Sequence, residues 1–452
     1  MNVAPARAVA REAVSRVRQR GSYAHETLAS LLADRDLDGR DTAFATRLAY
    51  GTIAFRGTLD ESLSRHVHTR GGLDPVVGDC LALSSYEILM LRTPHRAAVS
   101  EGVELVRAAC PKAAGLANAV LRRVAESAAD FPWGDPDTDV EALARLHGHP
   151  LWLARMWIDE LGRDAANAVM AADNDPAPLF LAVVATGDAA DRSVEWLAER
   201  GVDATPTPLD GCLTADEPSA AVKSEPVSSR EVLVVDAGAQ FAAMAVPLPA
   251  NGSVVEIGAG RGSKTLLMAA RAVRSGSDVA FTAVDIHAHK LERLDRDANA
   301  LGYGNVTTLV ANAEEPAGLA WPGGPVDAVL VDSPCSGLGT LRRHPDRRWR
   351  VAPDDIESVA RVGEALLSRA ASLVKPGGFV VYSTCTITKR ENEQVIRTFL
   401  ATEQGAHFET DPLDGEVPKV WESYLTPEGW FRSVPAAGGP DGHFVARIRR
   451  VE

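Results

Sequence analysis

Apolar residues recur at three- and four-residue spacing throughout residues 4–127, and no alternating strand pattern interrupts them. The stretch "AVSEGVELVRAA" is typical, because Val99, Val103 and Val106 fall on one face of a helix. Segments with this periodicity bury their apolar faces by packing helix against helix. We therefore predict an all-helical N-terminal domain over residues 1–127.

The pattern changes between residues 128 and 235. Residues 128–150 contain prolines, acids and glycines and are predicted to be a linker with one short helix at most. Within residues 151–235, "PLWLARMWIDELGRDAANAVMAADN" predicts one amphipathic helix, "LFLAVVA" a strand and residues 203–230 a loop. This order predicts a small α+β middle subdomain.

Short β-branched apolar runs alternate with helical stretches through the C-terminal half of the chain. The runs are "SVVEIGA", "FTAVDIH", "VTTLVAN", "DAVLVDS" and "GFVVYST". Continuous apolar runs suit strands that are buried on both faces of a parallel sheet. Residues 236–452 are therefore predicted to form a doubly wound, Rossmann-like α/β domain, so the whole chain is multidomain.

Composition limits the functional classes. The chain has 452 residues, of which 46% are hydrophobic and 24% charged, as in globular proteins of two or three domains. We find neither a signal-peptide pattern nor a run of about 18 apolar residues, so neither a signal peptide nor a membrane span is predicted. The five cysteines are scattered and never spaced C-x-x-C, which argues against a disulfide framework or a zinc site and predicts a reducing, cytoplasmic setting. The net charge of −14 counts against a nucleic-acid partner, which usually requires a basic face.

Candidate chemistry lies directly after the predicted strands, where ligands bind in such sheets. The turn "EIGAGRGSKT" carries Gly258, Gly260 and Gly262, which let a ligand approach the backbone at a helix N-terminus. Such turns serve NAD, FAD and S-adenosylmethionine alike. Asp285 follows the next strand at the position of a ribose-binding acid, although it could instead cap the helix that follows.

Two cysteines favour S-adenosylmethionine over nicotinamide as the cofactor. Cys335 and Cys385 follow successive strands, each behind a turn-forming pair rather than inside an apolar run. A lone cysteine is usually a packing residue. If the two strands are neighbours in the sheet, however, both thiols face one crevice.

Three motifs resemble a known family. "DSPCSGLGTLRRHPD", "YSTCTITKRENEQVI" and the "GSKT" of the glycine turn are similar to the RNA 5-methylcytosine methyltransferases of the Sun (Fmu) type. "ATRLAYGTIAFRGTLD", "HRAAVSEGVELVRAA" and "AGLANAVLRRV" resemble the NusB-like helical domain that bacterial members of this family carry. The resemblance covers nearly the whole chain and is weakest between about residues 180 and 235.

The resemblance implies methylation of cytosine C5 in small-subunit (16S) ribosomal RNA by a cytoplasmic protein, which we expect to be a monomer without a metal. In the family, the cysteine that corresponds to Cys385 attacks C6 of the base, and the one that corresponds to Cys335 aids product release. Asp332 would hydrogen-bond the cytosine edge and help to protonate the ring. The base must be unstacked to reach these groups.

Further site residues follow from the motifs. The expected cofactor-binding residues are Gly258, Ala259, Gly260, Arg261, Gly262, Ser263, Lys264, Asp285, Asn312 and Asp332. The arginines behind the catalytic strand are expected to contact RNA phosphates, although a charged run can also be a solvated loop. They are Arg342, Arg343, Arg347 and Arg348, with Arg350 beside them.

The chain departs from the family pattern D-x-C-A-A-P-G-G-K-T at its glycine turn. Glu256 keeps the acid, but Arg261 replaces a proline and Ser263 a glycine. Asn312 stands where the family usually has an acid near the adenine. Near the C-terminus, "GGPDGHFVARIRR" has Pro440 and His443 at less usual positions.

Two other functional classes stay open on the sequence. One is a methyltransferase of a protein or small molecule, in which the cysteines are structural and Cys385 is dispensable. The other is a non-enzymatic RNA-binding or antitermination factor with a degenerate catalytic half, which predicts that no cofactor binds. We favour the RNA cytosine methyltransferase over both, because both thiols, Asp332 and Asp285 are present.

Overall fold

The computed structural model describes residues 3–67, 72–91, 93–315, 321 and 323–451. The chain forms two compact units: Met1–Pro176 with Leu341–Ala352, and Ala177–Thr340 with Pro353–Glu452. No helix in these ranges is long and apolar enough to cross a membrane.

The first unit is helical, as the apolar spacing predicts. Its helices are α1 (Pro5–Arg20), α2 (Ala24–Ala33), α3 (Gly39–Ala54), α4 (Arg56–Ser64), α5 (Pro75–Leu89), α6 (His95–Ala109), α7 (Ala114–Ser127), α8 (Val140–His147), α9 (Leu151–Leu161) and α10 (Arg163–Ala172). Polar caps set their ends: the Asp74 carboxylate accepts from Val76 N–H where α5 begins with Pro75. One apolar core, with Leu48, Leu81 and Leu83 fully buried, holds helices α1–α7 together.

Two local predictions are wrong. The single helix expected after residue 150 is two helices, because Gly162 adopts φ 84° and ψ 158°, which no α-helix contains. Residues 203–230 contain two short strands and two short helices rather than a loop. The compact units also differ from the four predicted ranges, since residues 128–176 belong to the first unit.

The second unit contains all the strands that the structure describes. They are β1 (Leu179–Val183), β2 (Ala204–Pro206), β3 (Cys212–Ala215), β4 (Val232–Val234), β5 (Asn251–Ile257), β6 (Asp278–Asp285), β7 (Val306–Val310), β8 (Val326–Asp332), β9 (Val374–Thr384), β10 (Phe408–Thr410), β11 (Phe431–Arg432) and β12 (Phe444–Arg450). Its helices are α11 (Asp188–Glu199), α12 (Pro218–Val222), α13 (Glu225–Ser228), α14 (Ala237–Met244), α15 (Ser263–Ser275), α16 (Ala288–Ala300), α17 (Pro353–Leu373) and α18 (Glu393–Leu400).

These strands form two sheets. A small antiparallel sheet has the order β2-β3-β1-β4. The large sheet has the order β10-β12-β9-β8-β5-β6-β7, and β11 pairs with β12. Its strands β9 to β7 are parallel, whereas β12 and β10 are antiparallel additions at one edge. The strand order reverses between β5 and β8, which is the crevice where a doubly wound sheet binds its ligand.

Both faces of the large sheet are covered, which explains the continuous apolar runs. In β8, Ala328 and Leu330 enter one core layer, whereas Val329 and Val331 enter the other. All four side chains are fully buried. Because successive strand residues point to opposite faces, a strand in the middle of this sheet requires apolar residues at every position.

Candidate active site

The predicted site residues of the second unit lie at or directly after the carboxyl ends of β5, β6, β7, β8 and β9, on both sides of the switch point. Strands β8 and β9 are parallel neighbours, and their register pairs Asp332 with Ser383. The Ser333 N–H donates to the Ser383 carbonyl at 2.9 Å, which extends the pairing by one step. The segments that carry Cys335 and Cys385 therefore leave the sheet side by side.

The two cysteines face each other as thiols that form no disulfide. Their Sγ atoms lie 3.3 Å apart, and both residues are partly buried. The hydrogen bond to Cys385, followed by burial, raises the pKa of Cys335 well above that of an ordinary thiol. Cys335 therefore stays protonated near neutral pH.

Glu391 ties the two cysteine loops together and was missed by the sequence analysis. Its buried carboxylate accepts from Ser336 N–H at 2.6 Å, Ser336 Oγ at 2.7 Å and Thr388 Oγ1 at 2.6 Å. Burial raises the pKa of Glu391 even against these hydrogen bonds. Its position inside the "TKRENE" motif, six residues after Cys385, was the available signal.

Lys264 and Asp332 form an ion pair at the centre of the site. The Nζ atom lies 2.7 Å from Asp332 Oδ2, and the exposed fractions of the two side chains are 12% and 32%. Burial lowers the pKa of Lys264, but the attraction of Asp332 and Glu256 outweighs it, so the pKa is raised. The ammonium is therefore charged and holds the carboxylate in place.

The glycine turn is shaped so that only glycine fits at two of its positions. Gly258 has φ 82°, and a Cβ there would lie 2.3 Å from the Asp332 carbonyl oxygen. Gly262 has φ 77°, and its Cβ would lie 2.2 Å from Leu294 Cδ1. Gly260 also has a positive φ, of 57°, but its Cβ would meet only the Gly258 carbonyl oxygen, at an ordinary contact distance of 4.0 Å. The turn therefore packs tightly against β8 and α16 and stays open at its tip.

A buried acid completes the turn. Thr265 Oγ1 donates to Glu256 Oε2, while Glu256 Oε1 has no hydrogen-bond partner in the part of the chain that the structure describes. Burial raises the pKa of Glu256 to about 7. An unsatisfied buried acceptor beside an open glycine turn fits a polar cofactor group at this position.

Asp285 holds the tip of the glycine turn. Its carboxylate accepts from Gly260 N–H and from His287 N–H, each at 2.8 Å, and lies 2.8 Å from His287 Nδ1. Burial raises the pKa of Asp285, but these hydrogen bonds outweigh it and the pKa is lowered. His287, not Asp285, is the N-cap residue of α16, so the helix-cap alternative does not describe this carboxylate.

The remaining predicted cofactor residues differ in their surroundings. Ala259 is buried and donates to the Val284 carbonyl, whereas Arg261 is exposed and Ser263 partly buried. The Asn312 amide bonds within its own loop, to Glu315 Oε1 at 3.0 Å and from Glu314 N–H at 3.1 Å. Cofactor contacts of these four residues stay predictions.

The structure contradicts the predicted RNA contact of Arg348. Its side chain is fully buried in the first unit and donates to the carbonyls of Asp173 (2.6 Å), His147 (3.1 Å) and Gly148 (3.3 Å) and to Asn174 Oδ1 (2.9 Å). Helix C-termini leave carbonyls unpaired, and these attract a cation. Arg348 is therefore a structural residue of the first unit and not an RNA contact.

The neighbouring arginines differ in how far their side chains are exposed. Arg342 is 7% exposed, so it too is not a freely accessible phosphate contact. Arg343 and Arg347 are partly buried, and their RNA contacts stay predictions. Arg350 donates to the carbonyls of Gly21 and Ser22 at 2.9 and 2.8 Å.

Replacing Gly258 by Ala is expected to weaken cofactor binding at least tenfold, because the new Cβ collides with the Asp332 backbone. Gly276→Ala is the matched control: Gly276 ends α15 with φ 69°, and a Cβ there meets nothing within 4 Å. Both variants carry the left-handed strain of about 1–2 kcal/mol, but only the first has the collision. Calorimetric titration with S-adenosylhomocysteine measures the difference, and equal affinities for the two variants would contradict it.

Comparison with known proteins identifies a different family in each half of the chain. Residues 243–449 match the family described as 16S rRNA methyltransferase RsmB/F, and residues 4–126 match the NusB family. The ribosomal RNA small subunit methyltransferase B of Thermus thermophilus is 32% identical over 94% of this chain and 94% of its own. That of Xanthomonas campestris is 30% identical over 84% of this chain and 83% of its own. The crystal structure of PH0851 shares the fold over 99% of both chains, with a TM-score of 0.78 at 22% identity.

Proposed function

Since this chain belongs to the RsmB/F family of 16S rRNA methyltransferases, we propose that it methylates C5 of a cytosine in small-subunit ribosomal RNA through a covalent bond between Cys385 and C6 of the base. Membership of the family makes the protein an RNA methyltransferase. The target atom, the covalent step and the action as a monomer are part of the proposal. The observation that carries it is the pair of thiols, 3.3 Å apart, beside the Lys264–Asp332 ion pair.

The two cysteines divide the chemistry between them. Cytosine C5 is a weak nucleophile, and addition of a thiolate at C6 makes it an enamine-like one. Cys385 supplies this thiolate. Cys335, whose pKa is raised by its hydrogen bond to Cys385 and by burial, stays a neutral thiol and assists release of the product. Two neighbouring thiols could not both ionise readily, because each charge disfavours the other.

Asp332 orients the base and relays a proton to it. Its carboxyl group is held by Lys264 at 2.7 Å at the end of β8, three residues before Cys335. From there it hydrogen-bonds the polar edge of the cytosine. As the thiolate adds, a proton passes from the Lys264 ammonium through the Asp332 carboxylate to the ring, which leaves Lys264 neutral. Acids accept hydrogen bonds from the cytosine amino group in the same way in nucleic-acid recognition.

The glycine turn would hold S-adenosylmethionine, which supplies an electrophilic methyl group when bound. Gly258, Gly260 and Gly262 give the backbone access, and the N-terminus of α15 presents N–H groups. Asp285 would accept from the ribose hydroxyl groups while it holds Gly260. Glu256 Oε1, unpaired among the described residues, would accept from a polar cofactor group.

The helical domain over residues 1–127 would bind RNA. A groove of about 870 Å³ between α6 and α7 is lined by His95, Arg96, Arg107 and Arg122, together with Glu104 and Glu126. Three arginines and two glutamates line this groove, and Arg107 pairs with Glu104, so the lining has a positive excess of one charge although the chain as a whole carries −14. A local basic surface of this kind can bind phosphates in a globally acidic protein.

Trapping of the covalent intermediate tests the proposal. Cys335→Ala, incubated with small-subunit ribosomal RNA and S-adenosylmethionine, is expected to accumulate a protein–RNA adduct on a denaturing gel, because product release is blocked. Cys335→Ala combined with Cys385→Ala is expected to give none. Cys110→Ala is a matched control, since Cys110 is a partly buried cysteine of the first unit.

Each other outcome has a defined meaning. An adduct that persists without Cys385 would show that another group is the nucleophile. Methyl transfer to a protein or small molecule that survives Cys385→Ala would favour a methyltransferase with structural cysteines. Absence of an adduct, of methyl transfer to RNA by the wild type and of cofactor binding would favour a non-enzymatic RNA-binding factor.

A further inference from the structure

His443 is a buried titratable side chain that the proposed reaction does not use. It lies directly before β12, and β12 pairs antiparallel with β9 so that Phe444 faces Thr384. The same register, continued by one residue, sets His443 opposite Cys385. Gly339 fixes this end of the pair, because its N–H donates to the Cys385 carbonyl and its carbonyl accepts from Gly442 N–H.

Asp236 forms an ion pair with the imidazole. His443 Nε2 lies 3.4 Å from Asp236 Oδ1, which is ion-pair distance without hydrogen-bond geometry, and the His443 side chain is 6% exposed. The Asp236 carboxylate is itself fixed by N–H groups of Gly238 at 2.9 Å and Asp441 at 3.1 Å. The ring packs on Gly238, where a Cβ would lie 2.5 Å from His443 Cδ2. The imidazole is therefore held in one place.

The charges around His443 favour its protonated form. Burial lowers the pKa of His443, but the attraction of Asp236, and further of Cys385 and Asp441, outweighs it and the pKa is raised. These acidic groups face it from the start of α14, the end of β9 and the turn before β12. Cys385 in turn is near Lys264, whose pKa its thiolate helps to raise.

We infer that His443 is a positioning residue for Cys385: as an imidazolium anchored on Asp236, it stabilises the Cys385 thiolate. This inference rests on the proposed function, in which Cys385 is the nucleophile. The thiol proton passes to water when the thiolate forms, and His443 keeps its own proton throughout. A buried cation beside a thiol favours the thiolate, because the two charges attract strongly where water is scarce.

Removal of the His443 charge is expected to raise the pKa of Cys385. A cation lowers the pKa of a neighbouring thiol, so the thiolate persists to lower pH while His443 is protonated. His443→Phe keeps a ring over Gly238 but removes the charge and leaves Asp236 unbalanced. We expect the midpoint of Cys385 alkylation to move up by about one pH unit, which makes alkylation about tenfold slower on the acidic side.

The experiment uses the full chain without RNA or cofactor. Iodoacetamide reacts with the protein across the neutral pH range, and peptide mass spectrometry follows modification at Cys385, with Cys110 as the internal reference. His443→Gln is the second variant, polar but uncharged, and is expected to shift the midpoint in the same direction. His407→Phe is the matched control, because His407 is exposed in the same unit.

The outcomes separate this inference from the proposed function. A shift in the His443 variants but not in His407→Phe, together with an RNA adduct trapped at Cys385, supports the inference. An unchanged alkylation profile with the adduct still trapped overturns the inference and leaves the proposed function in place. Failure to trap an adduct at Cys385 overturns both.

Discussion

Asp332→Asn is expected to lower the rate of methyl transfer roughly 10²–10⁴-fold, the usual contribution of a positioned proton donor. The amide keeps the size of the carboxyl group and can still accept a hydrogen bond from the cytosine amino group, but it cannot relay a proton from Lys264 to the ring. It also ends the ion pair with Lys264, which joins the two groups at 2.7 Å. Transfer of labelled methyl groups to small-subunit ribosomal RNA under single-turnover conditions measures the loss.

Asp327→Asn is the matched control for this prediction. Asp327 lies near the other end of β8, accepts from Ser253 N–H at 3.0 Å and pairs with Lys375 at 2.5 Å. It is thus a carboxylate of the same strand with a lysine partner but without access to the site. We expect at most a small loss of stability there. A turnover rate of Asp332→Asn within about threefold of Asp327→Asn would exclude Asp332 as the group that transfers the proton to the ring.

Arg348→Met is expected to destabilise the first unit by about 3–5 kcal/mol, the range for removing one partner of a buried ion pair, because the buried Asp173 carboxylate loses the cation that attracts it. The arginine is fully buried, and burial lowers the pKa of Arg348 to about 10, so it remains charged near neutral pH. Methionine fills part of the volume but leaves three backbone carbonyls and Asn174 Oδ1 without their donor. Urea denaturation and hydrogen exchange of helices α8–α10 measure the effect.

Arg350→Met is the control within the same segment. Arg350 also donates to backbone carbonyls and pairs with Asp346 at 3.1 Å, but its side chain is 35% exposed. Water replaces such contacts, so we expect a loss of about 1 kcal/mol or less. If Arg348→Met kept full stability but weakened RNA binding, the original assignment of this residue to RNA would be restored.

The central strands of the large sheet were predictable because burial on both faces leaves no freedom of composition, whereas the edge strand β7 is partly exposed. Strands β5, β6, β7, β8 and β9 coincide with the five apolar runs. Their carboxyl ends carry the glycine turn, Asp285 and the two cysteines, as expected of a doubly wound sheet. One wrong prediction in the first unit came from a single backbone position. The apolar spacing continues through Gly162, but the positive φ of this glycine separates α9 from α10.

Apolar spacing and short motifs do not predict contacts between residues that are distant in sequence. Glu391 and His443 lie in recognisable sequence motifs, but their partners are far away along the chain. Glu391 binds Ser336, 55 residues before it, and His443 pairs with Asp236, 207 residues before it. A charged residue in a polar segment is expected to face solvent, so Arg348 was assigned to RNA. Only the packed structure surrounds it with the carbonyl groups that make its burial favourable.

The amino-acid sequence alone determined the helical and α/β halves, the strand ends that hold the chemistry and the resemblance to RNA methyltransferases. These properties depend on local periodicity and on short motifs, which a single sequence contains in full. The tertiary structure decided that the cysteine Sγ atoms lie 3.3 Å apart, that Lys264 holds Asp332, and that Arg348 is a buried structural residue. Those properties depend on which distant residues meet, and the free energy of burial and pairing settles that only in the folded chain.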